Sequence, residues 1–314
     1  MDVQGTFRTL VRMEGARLYR DLPWRRTCDP YAVWVSEVML QQTQVARVEA
    51  RWGAWMERFP DMHALARASV SDVLEQWQGM GYNRRALNLR AAAEEVIRTY
   101  DGVFPQDAAA LEALPGIGPA TAQGIRSFAF NLPGIYLETN VRAVFLHHLF
   151  PDVEGVTDRE LAPLVEAACP AGTYACESGD GGAAVGASDR GRYDPYAEPQ
   201  DAEDTPRSWY YALLDYGAQL KRTVENPSRR SRGYARQPAF EGSRRQKRAE
   251  VVRILLAGRK NSVGISLDEA TDALNRLERD AGRDAVDTGT VASILGDLAH
   301  EGFCHEDEGL WCIE

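Results

Sequence analysis

Hydrophobic residues recur at helical spacing from the N-terminus to about residue 170, in runs separated by short polar or Gly/Pro breaks, and strand-like alternation is nearly absent. The pattern predicts an all-α region with helices such as Val70 to Gln78, Arg84 to Tyr100 and Asp107 to Ala113. From Cys176 to Asp204 the chain turns to Gly, Ala, Asp, Glu and Pro with almost no aliphatic bulk, the composition of a flexible acidic insertion over 176–204. Helical patterning resumes at Pro206 and runs to about Thr223. Three more helices are expected near 244–257, 267–280 and 288–301, then two short extended runs around the Asp307-Glu308-Gly309 turn. Three helices and a terminal hairpin make a winged helix-turn-helix.

At 314 residues and 44% hydrophobic content, the chain has room for two or more domains with substantial cores. No stretch approaches a membrane span, and Arg8, Arg12 and Glu14 interrupt the N-terminus, so a cytoplasmic protein without membrane partners is expected; nucleoid association and a monomeric state are expected only from the resemblance described below. The net charge of −10 argues against a nucleic-acid binder until its distribution is considered. Between Lys221 and Arg248 ten basic residues, Arg229, Arg230 and Arg232 among them, face only Glu225 and Glu241. That run can follow a phosphate backbone or be a solvated linker. The five cysteines are odd in number and scattered without ligand spacing, as reduced thiols would be, and no metal cluster is expected.

Two carboxylates and a glycine hairpin carry the candidate chemistry. Glu37 lies in an apolar helical run and shares its face with Val33, Trp34, Leu40 and Gln41, so its carboxyl should be partly buried and its pKa raised. Leu114-Pro115-Gly116-Ile117-Gly118-Pro119 joins a helix capped by Asp107 to one opened by Pro119. Gly116 and Gly118 permit positive φ, and bare amides at such a turn suit a DNA phosphate; an ordinary turn between packed helices is the other reading. Carbonyls of Glu112, Leu114 and Ile117 could converge on a monovalent cation. Glu138 stands at the expected start of a helix, where the dipole and unpaired N–H groups favour its ionised form. Two carboxyls with pKa values pushed apart suit cleavage of a glycosidic bond.

The segments Leu22-Pro23-Trp24-Arg25, Asp29-Pro30-Tyr31, Val33 to Val45 (VWVSEVMLQQTQV) and Gly81-Tyr82, with the Gly116 hairpin, resemble the adenine DNA glycosylases of the MutY type, in the helix-hairpin-helix superfamily that includes endonuclease III. The resemblance covers about residues 20–150 and, more weakly, Trp209 to Gly217. It implies an all-α helix-hairpin-helix glycosylase fold over 1–225: a six-helix subdomain (22–135) and a second helical subdomain (1–21 plus 136–225). A basic linker (226–243) and the winged helix (244–314) would follow.

It also implies hydrolytic excision of a mispaired purine, adenine opposite 8-oxoguanine or guanine, from double-stranded DNA in base excision repair. Glu37 would protonate the flipped base, Glu138 would stabilise the sugar cation with Asn140 beside it, and Trp24 and Arg25 would form the base pocket. Gln41, Gln42 and Tyr82 would enter the base stack, while Gly116, Gly118 and the arginines hold phosphates. Glu138 and Thr139 stand where relatives carry aspartate and commonly glycine. Ala120 replaces the Schiff-base lysine of bifunctional members, and Lys221, Lys247 and Lys260 are the only lysines, so a catalytic half without lysine and without lyase activity is expected. Leu220 to Phe240, where many relatives hold an iron–sulfur cluster, contains no cysteine, and no cofactor is expected. Excision of hypoxanthine or another damaged base, or a catalytically weakened DNA-binding or regulatory protein, are the alternatives.

Overall fold

A computed structural model describes residues 3–171, 204–235, 239–259 and 264–313. The acidic insertion, apart from Asp204, lies outside them. The described helices are, in order, α1 (Val3–Leu18), α2 (Pro30–Leu40), α3 (Val45–Arg58), α4 (Met62–Arg67), α5 (Val70–Gln76), α6 (Arg84–Tyr100), α7 (Ala108–Glu112), α8 (Pro119–Phe128), α9 (Thr139–Leu149), α10 (Asp158–Ala168), α11 (Pro206–Thr223), α12 (Arg244–Arg259), α13 (Leu267–Asp280) and α14 (Thr288–His300). Short 3-10 turns form at Pro23–Arg26 and Pro227–Arg230, and three short strands, β1 (Ile265–Ser266), β2 (His305–Asp307) and β3 (Leu310–Cys312), complete the set.

Local chemistry sets many of the boundaries. Asp29, Asp107 and Asp287 accept backbone N–H groups at the starts of α2, α7 and α14, and Pro30 and Pro119 occupy first-turn positions where a missing N–H costs nothing. Thr157, Thr205 and Ser266 close full capping boxes on α10, α11 and α13.

The helices group into two compact units, Met1–Gln41 with Val103–Arg236, and Gln42–Gly102 with Gln237–Glu314. In the first, α11 is the central element and packs on α1, α8 and α9, while α2 and α7 pack on α8. Its core includes Val11, Trp34, Phe128, Phe145 and Trp209. The second unit joins α3 to α6, packed around Trp55, Phe59, Leu65, Trp77 and Leu89, with the C-terminal helices α12 to α14, packed around Val251, Leu255, Leu274, Ile294 and Leu298. The linear order had separated these stretches; polar contacts such as Arg84 with Glu301 and Arg259 with Asp72 link them.

The expected terminal hairpin forms, with β2 antiparallel to β3 in the register His305↔Cys312, Glu306↔Trp311, Asp307↔Leu310. Its two-residue turn holds Glu308 at φ +47° and Gly309 at φ +82°, the twist that matches antiparallel strands. β1, two residues long and unforeseen from the sequence, pairs with the other side of β3, giving the strand order β1-β3-β2. Among the described residues, no helix is long and apolar enough to cross a membrane.

Candidate active site

Glu37 sits in the last two turns of α2, and α8 packs directly on that helix. Its carboxyl is closed in by Gly124 of α8 and by Tyr136: any β-carbon at Gly124 would overlap Glu37 Oε2 and crowd the Tyr136 ring. The Tyr136 hydroxyl donates to Glu37 Oε2 at 3.0 Å. Burial pushes the Glu37 carboxyl up to about 8; the Tyr136 hydrogen bond and the charge of Arg25 pull down, and the charge of Glu138 pushes further up. At neutral pH Glu37 is therefore largely protonated. Tyr136 occupies Oε2, which leaves Oε1 as the oxygen open to an incoming group. Burial and the two carboxylates push the Tyr136 phenol well above its usual value, so it remains a donor.

Tyr136 is held in turn by α11. The Tyr210 hydroxyl accepts the Tyr136 N–H at 3.2 Å and donates to the Gly134 carbonyl. The rings of Phe128, Tyr136, Tyr210 and Tyr211 form one contiguous cluster with centroid separations of 4.5–5.3 Å. Tyr136 and Gly124 went unmarked in the sequence, since a tyrosine in a Pro-Gly loop and a glycine in a helix carry no spacing signal.

Glu138 is the N-cap of α9. Its Oε1 accepts the N–H groups of Asn140 (2.7 Å) and Val141 (3.3 Å), the bonds a shorter capping aspartate would make. The side chain curls back onto the helix end, which absorbs the extra methylene. The expectation that the cap would favour the ionised form is overturned in direction. Burial raises the Glu138 carboxyl and outweighs the lowering by the two backbone N–H bonds and by Lys221 and Arg142. Lys221 overturns a second expectation, because this lysine closes α11 in the first unit, within electrostatic reach of Glu138. The unit that holds both carboxyls does contain a lysine. Asn140 lies next to the cap, and its Oδ1 is buried without a hydrogen-bond partner.

Arg25 lies in the same unit's interior, within electrostatic reach of Glu37. Its NH1 and NH2 pair with both oxygens of Asp215 at 2.7 and 2.9 Å, NH1 also reaches the Arg20 carbonyl, and the guanidinium stacks 4.3 Å over the Tyr211 ring. Burial would depress this guanidinium; the Asp215 carboxylate reverses that and holds its pKa above the usual value. Where the sequence suggested a hydrogen-bonding group for a base, the structure gives Arg25 a bidentate ion pair with an aspartate 190 positions away. Trp24 is buried, with 3% of its surface exposed.

The remaining expected contacts fall at four places. Gly116 adopts φ +74°, as the hairpin requires, whereas Gly118 is extended at φ −92° and caps α8 without any side chain. Nothing lies within 4 Å of where a Gly118 β-carbon would stand, so that side of the hairpin leading into α8 is open. The Leu114 carbonyl accepts Ile117 N–H within the turn. Gln41 ends α2 and donates to Thr121 at 3.0 Å, while Gln42 and Tyr82 belong to the second unit and both hold left-handed φ, +56° and +47°. Of the arginines, Arg229 pairs with Glu225, Arg232 is exposed, and Arg230 is turned inward to the Leu146 carbonyl at 2.9 Å.

The stretch after α11 does not fit the iron–sulfur cluster seen in the resembled family. It contains no thiolate, and hydrogen bonds occupy it: Ser228 to the Thr139 carbonyl, Val156 to Arg230 and Arg232 to Val156.

Together these features define a helical fold carrying a protonated buried carboxyl with a second, capping carboxyl within electrostatic reach. Residues 35–171 match the family model described as HhH-GPD superfamily base excision DNA repair protein. It is 40% identical over 157 residues to an adenine DNA glycosylase of Mycolicibacterium smegmatis, covering 50% of this chain and 54% of that one. With the Homo sapiens adenine DNA glycosylase it shares 42% over 134 residues, 40% of this chain and 24% of the relative. The chain thus spans about half or less of the length of these curated relatives. Its fold is that of a thermostable thymine-DNA glycosylase structure, at a TM-score of 0.54 and 19% identity, covering 72% of this chain and 93% of that one.

Proposed function

We propose that this protein is a monofunctional DNA glycosylase that excises a mispaired adenine by hydrolysis. The observation that carries the reading is the Glu37 carboxyl, buried against Gly124 and Tyr136 and still protonated near neutrality. Glu37 gives its proton from Oε1 to N7 of an extruded adenine, and the C1′–N9 bond breaks with its electron pair going to the base. The charge left on the sugar faces Glu138, whose Oε2 is not used by the cap. Water then adds to C1′, and its proton returns to a carboxylate of the pair. The relatives named adenine DNA glycosylase favour adenine as the base. The open side of the hairpin at Gly118 and the exposed Arg232 suit phosphates of a duplex.

One feature favours a second reading, a catalytically weakened DNA-binding protein: the Glu138 carboxyl is biased towards the neutral form by its burial. A panel of duplexes pairing adenine with 8-oxoguanine, guanine or cytosine, and hypoxanthine with thymine, separates the two. Adenine release, read as alkali-labile sites and lost on Glu37→Gln, supports the enzyme. Tight duplex binding with no base released from any pair favours the second reading.

A further inference from the structure

Tyr82 is an exposed aromatic ring on a loop whose backbone is fixed from beneath. Gly81 and Tyr82 both hold left-handed φ, +70° and +47°, a conformation that a bulky residue keeps only when its surroundings impose it. The imposing groups are Arg85, whose NH2 donates to Thr43 Oγ1 and to the carbonyls of Met80 and Gly81, and Trp77, whose Nε1 donates to Gly81. The backbone is thereby set, but the ring is positioned by something remote in sequence. Arg245, in the first turn of α12, donates to the Tyr82 hydroxyl at 2.6 Å, and its guanidinium lies 5.1 Å from the ring centroid. Arg85 approaches the same ring at 5.6 Å, and Arg245 also lies 5.2 Å from the Phe240 ring. The same two stretches of this unit are tied by Arg84 with Glu301 and Arg259 with Asp72. An exposed ring between two arginines is the pairing of stacking surface and positive charge that nucleic-acid bases select.

We propose that Arg245 is a positioning residue, through which the C-terminal helices set the Tyr82 ring for insertion beside the extruded base. The proposal rests on the DNA glycosylase reading and extends it: the C-terminal segment acts on base extrusion itself as well as on affinity. Arg245 does this by restricting χ1 and χ2 of Tyr82 before DNA arrives, so less side-chain freedom is lost when the ring stacks.

The test compares full-length wild type, Tyr82→Phe, Arg245→Ala, Arg245→Lys and the Tyr82→Phe/Arg245→Ala double variant on a duplex with 2-aminopurine beside an adenine–8-oxoguanine pair. Fluorescence reads unstacking, and adenine release is followed separately. Tyr82→Phe keeps the ring and loses only the hydroxyl acceptor, while Arg245→Lys keeps the charge and loses the planar stack. The expected result is that Tyr82→Phe and Arg245→Ala each lower the extruded fraction roughly tenfold, the lower range for a hydrogen bond to a charged group, and that the double variant falls no further. Arg245→Lys should recover only part, and the salt dependence of binding should be unchanged. Additive losses with a salt slope reduced by about 0.9, fully restored by lysine, would make Arg245 a phosphate contact and overturn the proposal. Greater extrusion by Arg245→Ala would also overturn it, by making the contact a restraint, and so would the absence of any unstacking signal with wild type. A wild type that unstacks the duplex but releases no adenine refutes the glycosylase reading alone.

Discussion

Glu37 keeps its proton into the neutral range because its burial, with the charge of Glu138, outweighs the Tyr136 hydrogen bond, and this fixes the expected pH profile. As general acid it must be protonated, so single-turnover base release should fall as pH rises through about 8. Glu138 must be ionised, and its carboxyl is raised, so release should also fall on the acid side, at a pH above the usual carboxylate range. Removing Glu37 should reverse the sign for stability. A carboxyl raised from 4.5 to about 8 on folding binds more protons in the native state, so its contribution to stability declines as pH rises across that window. Glu37→Gln should therefore raise the unfolding free energy at pH 8 by on the order of 2 kcal/mol, read from urea unfolding, and the gain should vanish near pH 5. The same variant should lose at least about a hundredfold in base release while binding duplex normally. Gly124→Ala tests the geometry without touching a charge: a methyl group there must displace the Glu37 carboxyl, and a loss of roughly tenfold to a hundredfold in rate with an unchanged circular dichroism spectrum is expected.

At the scale of elements, α9 carries the second carboxyl at its N-terminus, and the segment after α11 grips both ends of this helix. Ser228 donates to the Thr139 carbonyl next to Glu138, and Arg230 donates to the Leu146 carbonyl near the C-terminus. Arg230→Ala should cost about 1 kcal/mol in urea unfolding, as the loss of a charged donor to helix carbonyls does, and should leave the salt dependence of DNA binding unaltered. Neutralising the exposed Arg232 should do the opposite, lowering the salt slope by about 0.9 with little change in stability. One feature of α11 bears on the reaction class. Lys221 closes that helix near Glu138, so borohydride trapping should be measured in wild type and in Lys221→Ala. Hydrolysis without a Schiff base predicts no trapped adduct tied to turnover in either; an adduct that Lys221→Ala abolishes would make Lys221 the nucleophile.

At the scale of the whole molecule, what was legible in the sequence was whatever short-range physics writes locally. The span Arg84–Tyr100 follows from apolar spacing, and so does Leu267–Asp280. Asp107 and Pro119 mark helix starts through caps and a first-turn proline, and Glu308-Gly309 marks a hairpin through its left-handed turn. Glu37 could be read as buried because its helical neighbours are apolar, and Glu138 as a cap because it precedes a helical run. The opposing terms at Glu138 could not be read, since its N–H bonds are local but its burial comes from packing against elements far along the chain. Tyr136 against Glu37, Asp215 against Arg25, and Arg245 against Tyr82 join residues 99, 190 and 163 positions apart, and no periodicity records such pairs. For the same reason β1 escaped notice, as two residues form a strand only because β3 offers them an edge. The arginines make the point for charge. A basic run in sequence became an inward helix clamp at Arg230, an ion pair at Arg229 and a tyrosine contact at Arg245. The sequence by itself determined the helices, their caps and the identity of the two carboxyls, all set by neighbours within a few residues. Only the tertiary structure decided their protonation and their partners, because desolvation and ion pairing depend on which distant surfaces meet.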